Sequence, residues 1–187
     1  MYGKHENSLL TLVILAVIYS NVTAARNPLR TIVKFTDMRC RATAPELMYF
    51  KECRLQRDAN VTMRAITLCR IYDKPLKQVK LNVQGFRKRN VGYVPFVLNL
   101  SLDWCQFLET RNNIVLQRMF GLLEKESNLN TTCPIDLDYT YMNVSMDNDG
   151  VFVIPFKWPT GDYRFDITID ANDEIRLIVN AFFRLDW

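Results

Sequence analysis

The strongest alternation of hydrophobic and polar positions in the chain lies in Gly92–Cys105, GYVPFVLNLSLDWC. With a period of two, Val94, Phe96, Leu98, Leu100, Leu102 and Trp104 fall on one face, and Pro95, Val97, Asn99, Ser101 and Asp103 on the other, which predicts a strand with one dry side. The polar side carries Asn99-Leu100-Ser101, an N-glycosylation acceptor whose asparagine has to reach solvent. Two independent signals therefore select the same outer face.

The same reading extends along the chain. Ile32–Cys40 predicts a first strand, after which Cys40 and Cys53 bracket a short excursion turned at Pro45. Val61–Tyr72 is a long β-prone run ended by Asp73-Lys74-Pro75, and Val79–Phe86 alternates again. Arg87-Lys88-Arg89-Asn90 then reads as a solvated turn into the Gly92 stretch. Between Cys105 and Cys133 the period changes: Val115, Met119, Leu122 and Leu123 recur at helical spacing, predicting one amphipathic helix over Asn112–Glu126. Gly121 weakens that helix by about 1 kcal/mol relative to Ala. A Cys105–Cys133 bridge would close this flap at its base and restrict the unfolded chain by about 3–4 kcal/mol. The last third is β again, with strands at Tyr139–Met146, Val151–Phe156, Asp162–Asp170 and Ile175–Leu185. Turns at Asp147–Gly150, Pro159–Gly161 and Ala171–Glu174 separate them. Seven or eight short strands with one short helix inserted between Cys105 and Cys133 predict an all-β fold, a two-sheet antiparallel immunoglobulin-like β-sandwich.

The N-terminus sets the expected compartment. Lys4 and His5 precede the apolar run Leu9–Tyr19, and Val22-Thr23-Ala24 offers small residues for cleavage after Ala24 or Ala25. The run is about half the roughly 20 residues that a membrane span needs. Residues 1–24 are thus expected to be a signal peptide and 25–187 a single secreted domain, extracellular in location. Acceptor sites at Asn60, Asn99, Asn130 and Asn143 and five cysteines agree with that route. Five cysteines leave one thiol over, and Cys69, inside the apolar run Ile66–Ile71, is the expected buried free thiol.

The formal charge of +4 hides an asymmetry, since residues 26–89 carry 16 Lys or Arg against 5 Asp or Glu, and residues 90–187 carry 7 against 14. Either the two halves interleave their charges at their rims, or the basic half lands on anionic lipid headgroups or an acidic partner. No nucleic-acid-binding signature is present, and nucleic acid is not an expected partner.

The catalytic inventory is short. The only histidine, His5, falls in the signal peptide, which leaves no imidazole for a triad or for most zinc sites. Ser101 and Ser145 occupy acceptor sites, and Ser127 has no base nearby in sequence. There is no CxxC, P-loop or GxGxxG. Asp136 with Asp138, and Asp147 with Asp149, have the local density of calcium loops, but Asp147-Asn148-Asp149-Gly150 between alternating runs reads as a hairpin turn. No enzyme activity, metal or cofactor is expected.

What the sequence has in quantity is inward-facing apolar surface. Val94, Phe96, Leu98, Leu100, Trp104, Phe152, Ile154, Tyr163, Phe165 and Ile167 are the expected lining of any cavity between the sheets. Alternation alone leaves two readings open, a packed core and a ligand pocket, because burying a Phe or Leu contributes roughly 1.5–3 kcal/mol against either neighbour.

FTDMRC at 35–40, FKECRL around Cys53, NVGYVPFVLNLSLDWCQFL from Asn90, TTCPID around Cys133 and IPFKWPTGDYRFDITI from Ile154 together resemble an insect family of secreted domains. That family is catalogued as a domain of unknown function and is regarded as similar to the ML lipid-recognition and ganglioside-activator proteins. The resemblance implies a β-sandwich whose sheets part around a lipid or other hydrophobic small molecule. It further implies disulfides among Cys40, Cys53, Cys105 and Cys133, preferably Cys40–Cys53 and Cys105–Cys133, with Cys69 outside the pattern. A non-enzymatic, chemosensory or lipid-presenting role follows, with a cell-surface receptor as a candidate partner. The rival expectation is an extracellular immunoglobulin-like interaction module with a packed core and no ligand.

Overall fold

The computed structural model describes residues 31–57, 63–112, 117, 120, 121, 123–129, 132–146, 151–154 and 158–186. The expected signal peptide, the acceptors Asn60 and Asn130, and the expected turn Asp147–Gly150 lie outside the described residues. The strands are β1 (Thr31–Ala42), β2 (Met48–Arg57), β3 (Met63–Ile71), β4 (Val79–Arg89), β5 (Gly92–Asp103), β6 (Tyr139–Met146), β7 (Val151–Ile154), β8 (Gly161–Ala171) and β9 (Glu174–Asp186). They form two antiparallel sheets, one in the order β5-β4-β8-β9-β1-β7 and one in the order β2-β3-β6. An α-helix, α1 (Trp104–Thr110), follows β5, and a 3-10 turn at Glu124–Glu126 comes after further helical residues between 117 and 123. The all-β immunoglobulin-like sandwich expected from the alternation is the fold.

Nine strands replace the expected seven or eight, and the additional one is β2. The excursion between Cys40 and Cys53 is in fact a hairpin arm, with Met48 opposite Ile71 and Arg57 opposite Met63. Its pattern is obscured by a β-bulge between Phe50 and Glu52. Before the bulge Met48 and Phe50 face inward; after it the inward set moves by one position to Cys53 and Leu55, which stand opposite Thr67 and the buried Ala65. A fixed period of two cannot follow that shift. The RKRN segment is a second correction. Arg87–Arg89 extend β4, pairing with Val94, Tyr93 and Gly92, and the turn is only Asn90–Val91.

The helix also starts earlier than expected. Trp104 and Cys105, read as the end of the Gly92 strand, open α1 because the Asp103 carboxylate caps it, accepting from the Gln106 amide at 3.0 Å. Arg111 ends it at φ 49°. Of the expected Asn112–Glu126 helix, Gln117, Phe120, Gly121 and Leu123 are helical and Glu124–Glu126 form the 3-10 turn; Asn112 is not helical, and Val115, Met119 and Leu122 lie outside the described residues.

Two buried clusters sit at opposite ends of the sandwich. At one end Met48, Cys69 and Ile71 from the small sheet meet Val79, Ala171 and Leu177 from the large one, with Leu76 and Ile135 between them. Leu76 and Ile135 exchange backbone hydrogen bonds of 2.9 Å each, joining the β3–β4 connection to the segment before β6. At the other end Val33, Tyr163, Phe183 and Leu185 are buried on the large sheet, with Phe35, Phe96, Trp158 and Phe165 packed on them. The sheets are bridged along the β1–β2 side by Cys40–Cys53, with a Cα separation of 6.1 Å.

The closed end is held by one buried cation. Arg176, 5% exposed, donates Nη2 to Asp73 Oδ2 at 2.9 Å, has Nη1 at 3.2 Å from Glu174, and reaches the Ala171 carbonyl through Nε at 3.3 Å. It thereby ties the β3–β4 connection to the β8–β9 hairpin. Replacing Asp73 with Ala leaves a desolvated guanidinium short of one partner and is expected to lower stability by about 1–3 kcal/mol. Urea unfolding should show that loss in full for Asp73→Ala and less of it for Asp73→Asn, whose amide oxygen still accepts.

Candidate ligand-binding site

The inward face of the large sheet is built by register. Leu81, Val83 and Gly85 on β4 stand against Ile169, Ile167 and Phe165 on β8, and those in turn against Leu177, Val179 and Ala181 on β9. On the other side of β4, Leu102 and Leu100 pair with Leu81 and Val83. Residues paired across antiparallel strands share a face, so Leu98, Phe96 and Val94 continue it towards the Tyr163 end. The alternation of β5 is as the sequence implied: Pro95, Val97, Asn99 and Ser101 are exposed, and Val94, Phe96, Leu98, Leu100 and Leu102 are not.

Burial along this face is uneven. On the side closed by the disulfide, Met38 and Ala181 are buried. Across the middle of the open side, Leu81, Val83, Leu98, Leu100 and Ile167 are all only half-buried, and so is Val179 opposite Cys40. The facing sheet repeats this, for Leu55, Met63, Met142 and Val144 are half-buried as well. β5 and β6 are the last strands of different sheets, and among the described residues no strand pairing joins them along that side, although Ser127 and Asn128 bond to the outer edge of β6.

Gly85 marks the tightest point. β5 carries extra residues opposite it, with Gln84 against Asn99 and Phe86 against Pro95. A Cβ at Gly85 would stand 3.0 Å from Leu98 Cβ and 3.4 Å from a Phe165 ring carbon. The missing side chain therefore lets β5 lean onto β8.

The sequence-expected lining divides between four places. Leu98, Leu100 and Ile167 lie on the half-buried middle of the face. Phe96, Tyr163 and Phe165 belong to the aromatic end. The Tyr163 ring is fully buried and stacks on Phe183 at 5.9 Å, with Phe96 edge-on at 5.4 Å, and its hydroxyl donates to the Pro159 carbonyl at 2.8 Å. Burial pushes the Tyr163 phenol above its ordinary pKa, against the opposing pull of Arg87 and Arg89. Trp104 is elsewhere, on α1, with its ring 5.4 Å from Phe107 and 5.3 Å from Phe120, packed beside the closed end. Phe152 and Ile154 stand opposite Val33 and Thr31 in register, and their side chains lie outside those described.

Sequence reasoning missed Trp158. Its ring sits 5.6 Å from Phe96, 5.9 Å from Tyr163 and 6.3 Å from Phe165, and its amide donates to the Thr31 hydroxyl at 3.0 Å. The signal available was the Trp158-Pro159 pair before Gly161, a turn with one large ring, but a turn residue has no periodicity to state which way it faces.

Cys105 and Cys133 are joined, Cα to Cα 5.6 Å, and Cys69 is free and buried at the closed end. Burial pushes its thiol up to about 12. Of the two described acceptor asparagines, Asn99 is exposed and Asn143 is half-buried, with its side-chain oxygen shielded. Among the described residues there is no group of three or more His, Cys, Asp or Glu placed to hold a metal.

Two outcomes follow from this geometry. Gly85→Ala should lower stability by about 1–3 kcal/mol through overpacking against Leu98 and Phe165, read from thermal or urea unfolding. Cys69, protonated at pH 8 and shielded, should resist iodoacetamide in the native protein and become the single alkylated cysteine when unreduced protein is denatured.

No curated protein matches the sequence. Among solved structures the chain is similar to a crystal structure of a Niemann-Pick type C2 protein from Japanese carpenter ant, with 12% identity over 81% of this chain and 90% of that one and a TM-score of 0.31. At that level the likeness adds nothing to the reading of the site. A family model described as "Protein of unknown function (DUF1091)" matches residues 81–165, from β4 into β8. The resemblance carried by the Gly92–Cys105 and Pro159–Tyr163 motifs, to a family catalogued as a domain of unknown function, therefore holds over the part of the chain that forms the half-buried face.

Proposed function

We propose that this chain is a secreted, non-enzymatic binder of a lipid or another hydrophobic small molecule, held against the inward face of β4, β5 and β8. One observation carries the reading. In a packed sandwich the inward residues at mid-sheet are the driest positions; here the large buried side chains gather at the two ends, with Met38, Ala65, Gly85 and Ala181 buried between them, while Val83, Leu98, Leu100, Ile167 and Val179 stay half-buried. Each such side chain forgoes about 1 kcal/mol of the roughly 1.5–3 kcal/mol that full burial contributes. An apolar guest would recover it.

The family resemblance read from the motifs favours the same function, as do the signal-like N-terminus and the glycosylation acceptors for a secreted, extracellular domain. A chemosensory or lipid-presenting role, with a cell-surface receptor as partner, fits a soluble carrier of this kind. Cleavage near Ala24 would release residues 25–187 as one domain. The absence of histidine after His5 favours a binder over an enzyme.

Leu100→Trp separates the pocket from the packed-core alternative, because the larger ring enters either free space or a filled core. In a pocket it should cut uptake of the neutral dye N-phenyl-1-naphthylamine by about tenfold or more while stability holds or rises. In a packed core it would overpack and cost about 1–3 kcal/mol, and the wild type would take up no dye. The second result, by fluorescence titration beside urea unfolding, would overturn the reading.

A further inference from the structure

The half-buried face does not stay apolar along its whole length. Towards the aromatic end β4 outruns its hydrophobic residues, and the position after Gly85 on the same face is Arg87, paired with Tyr163 on β8 and with Val94 on β5. Arg89 follows on the same side, opposite Gly92 at the tip of the β4–β5 hairpin. Both cations thus stand at the end of the row Leu81, Val83, Gly85.

Arg87 is fixed there. Its guanidinium lies over the Tyr163 ring at 5.7 Å and its Nη2 donates to the Thr160 carbonyl at 2.7 Å, in a turn that Gly161 completes at φ 142°. Phe96 and Trp158 close on the other edges of the same Tyr163 ring. The cation is therefore half-buried in an aromatic wall, with its orientation set by a backbone carbonyl and not by a countercharge. Among the described residues, neither Arg87 nor Arg89 has a carboxylate within salt-bridge distance. Elsewhere on this sheet Lys80 meets Asp173, Arg164 meets Asp166, Arg39 meets Asp37 and Arg184 meets Asp162 and Asp186; among the described residues Lys34, Arg41 and Lys88 also lack a carboxylate in reach, but they alternate to the outer face, whereas Arg87 is on the inner one.

A guanidinium in partly dry surroundings, without an anion of its own, at the end of an apolar trough has the chemistry of a headgroup clamp. We infer that the ligand is an anionic amphiphile, a single-chain carboxylate or phosphate, whose apolar tail lies along Leu81, Val83, Leu98, Leu100 and Ile167 and whose charged head meets Arg87, with Arg89 adding to the field. This rests on the proposed hydrophobic-ligand function and sharpens it, because it fixes the polarity of the ligand and its direction in the site: head at the Tyr163 end, tail towards the closed end.

The test uses the full secreted chain, dye-loaded with N-phenyl-1-naphthylamine, and compares displacement by oleic acid, oleyl phosphate and oleyl alcohol at pH 7.5. Oleate and oleyl phosphate should compete about tenfold or more better than the alcohol, the factor expected when one charge-assisted hydrogen bond is gained. That preference should shrink in high salt. In Arg87→Met with Arg89→Met, which keeps the apolar stems, the ratio of acid to alcohol affinity should fall to near one, with circular dichroism confirming the fold. If the double variant does not fold, Arg89→Met alone, at the exposed hairpin tip, should still lower the ratio. Equal displacement by all three lipids in the wild type would overturn the anionic-head inference and leave the hydrophobic-ligand function standing. No dye uptake and no binding of any of the three would overturn that function itself.

Discussion

The structure depends on closing one side of a sandwich without closing the other. Cys40–Cys53 staples β1 to β2, and Met38 and Ala181 are buried on that side. At one end the interlocked Leu76 and Ile135, backed by Arg176 on Asp73, bind the loops of both sheets together. β5 and β6 belong to separate sheets, and among the described residues they are linked only indirectly, through Cys105–Cys133 beyond the end of β5 and the Ser127–Met142 bridge on β6. A two-sheet fold with unequal sheets, six strands facing three, cannot cover its larger inner face completely. The half-buried row on β4, β5 and β8 is the geometric consequence.

The aromatic end supplies the rigidity that the open side lacks. Phe165 meets Phe183 at 4.5 Å, Phe183 stacks on Tyr163, and Phe96 and Trp158 complete the set. Aromatic pairs at these separations add about 0.5–1.5 kcal/mol each beyond burial. They draw residues from β5, β8, β9 and the segment before β8 into one block. An apolar trough whose end is a rigid aromatic wall is pre-organised, so a ligand would not have to order it.

Much of this was legible because strand periodicity reports facing directly. The inward set of β5, the outward Asn99 and the strands β4, β8 and β9 follow from a period of two, and Cys69 follows from its apolar surroundings. β2 was not legible, because its bulge breaks the period inside ten residues and its outer positions alternate charge with Tyr49. Trp104 was misplaced because alternation continues through Asp103 and offers no local sign that this aspartate turns its side chain back to cap a helix. The pockets of a sandwich are the hardest feature to read. The sequence of a half-buried Leu100 is the same as that of a buried one, and only the width of the opposing sheet separates them.

The charge asymmetry between the halves is met only in part by pairing between them. The sheet order places basic β4 beside acidic β8, and two cations of the basic half reach carboxylates of the acidic one. Lys80 meets Asp173, and Lys74, on the β3–β4 connection, reaches Asp138 at 2.7 Å and lowers that carboxyl below its ordinary pKa. Such exposed pairs contribute little to stability. On the inner face β4 runs on beyond its acid-bearing neighbours: Asp166 and Asp162 of β8 point to the outer face with Arg164 and Arg184, and Arg87 meets Tyr163 instead of a carboxylate. The strand alternation that dries one side of β4 also delivers its last cations to that side. The positive end of the trough is therefore a product of strand length and register, and it stands where a bound amphiphile would need its countercharge.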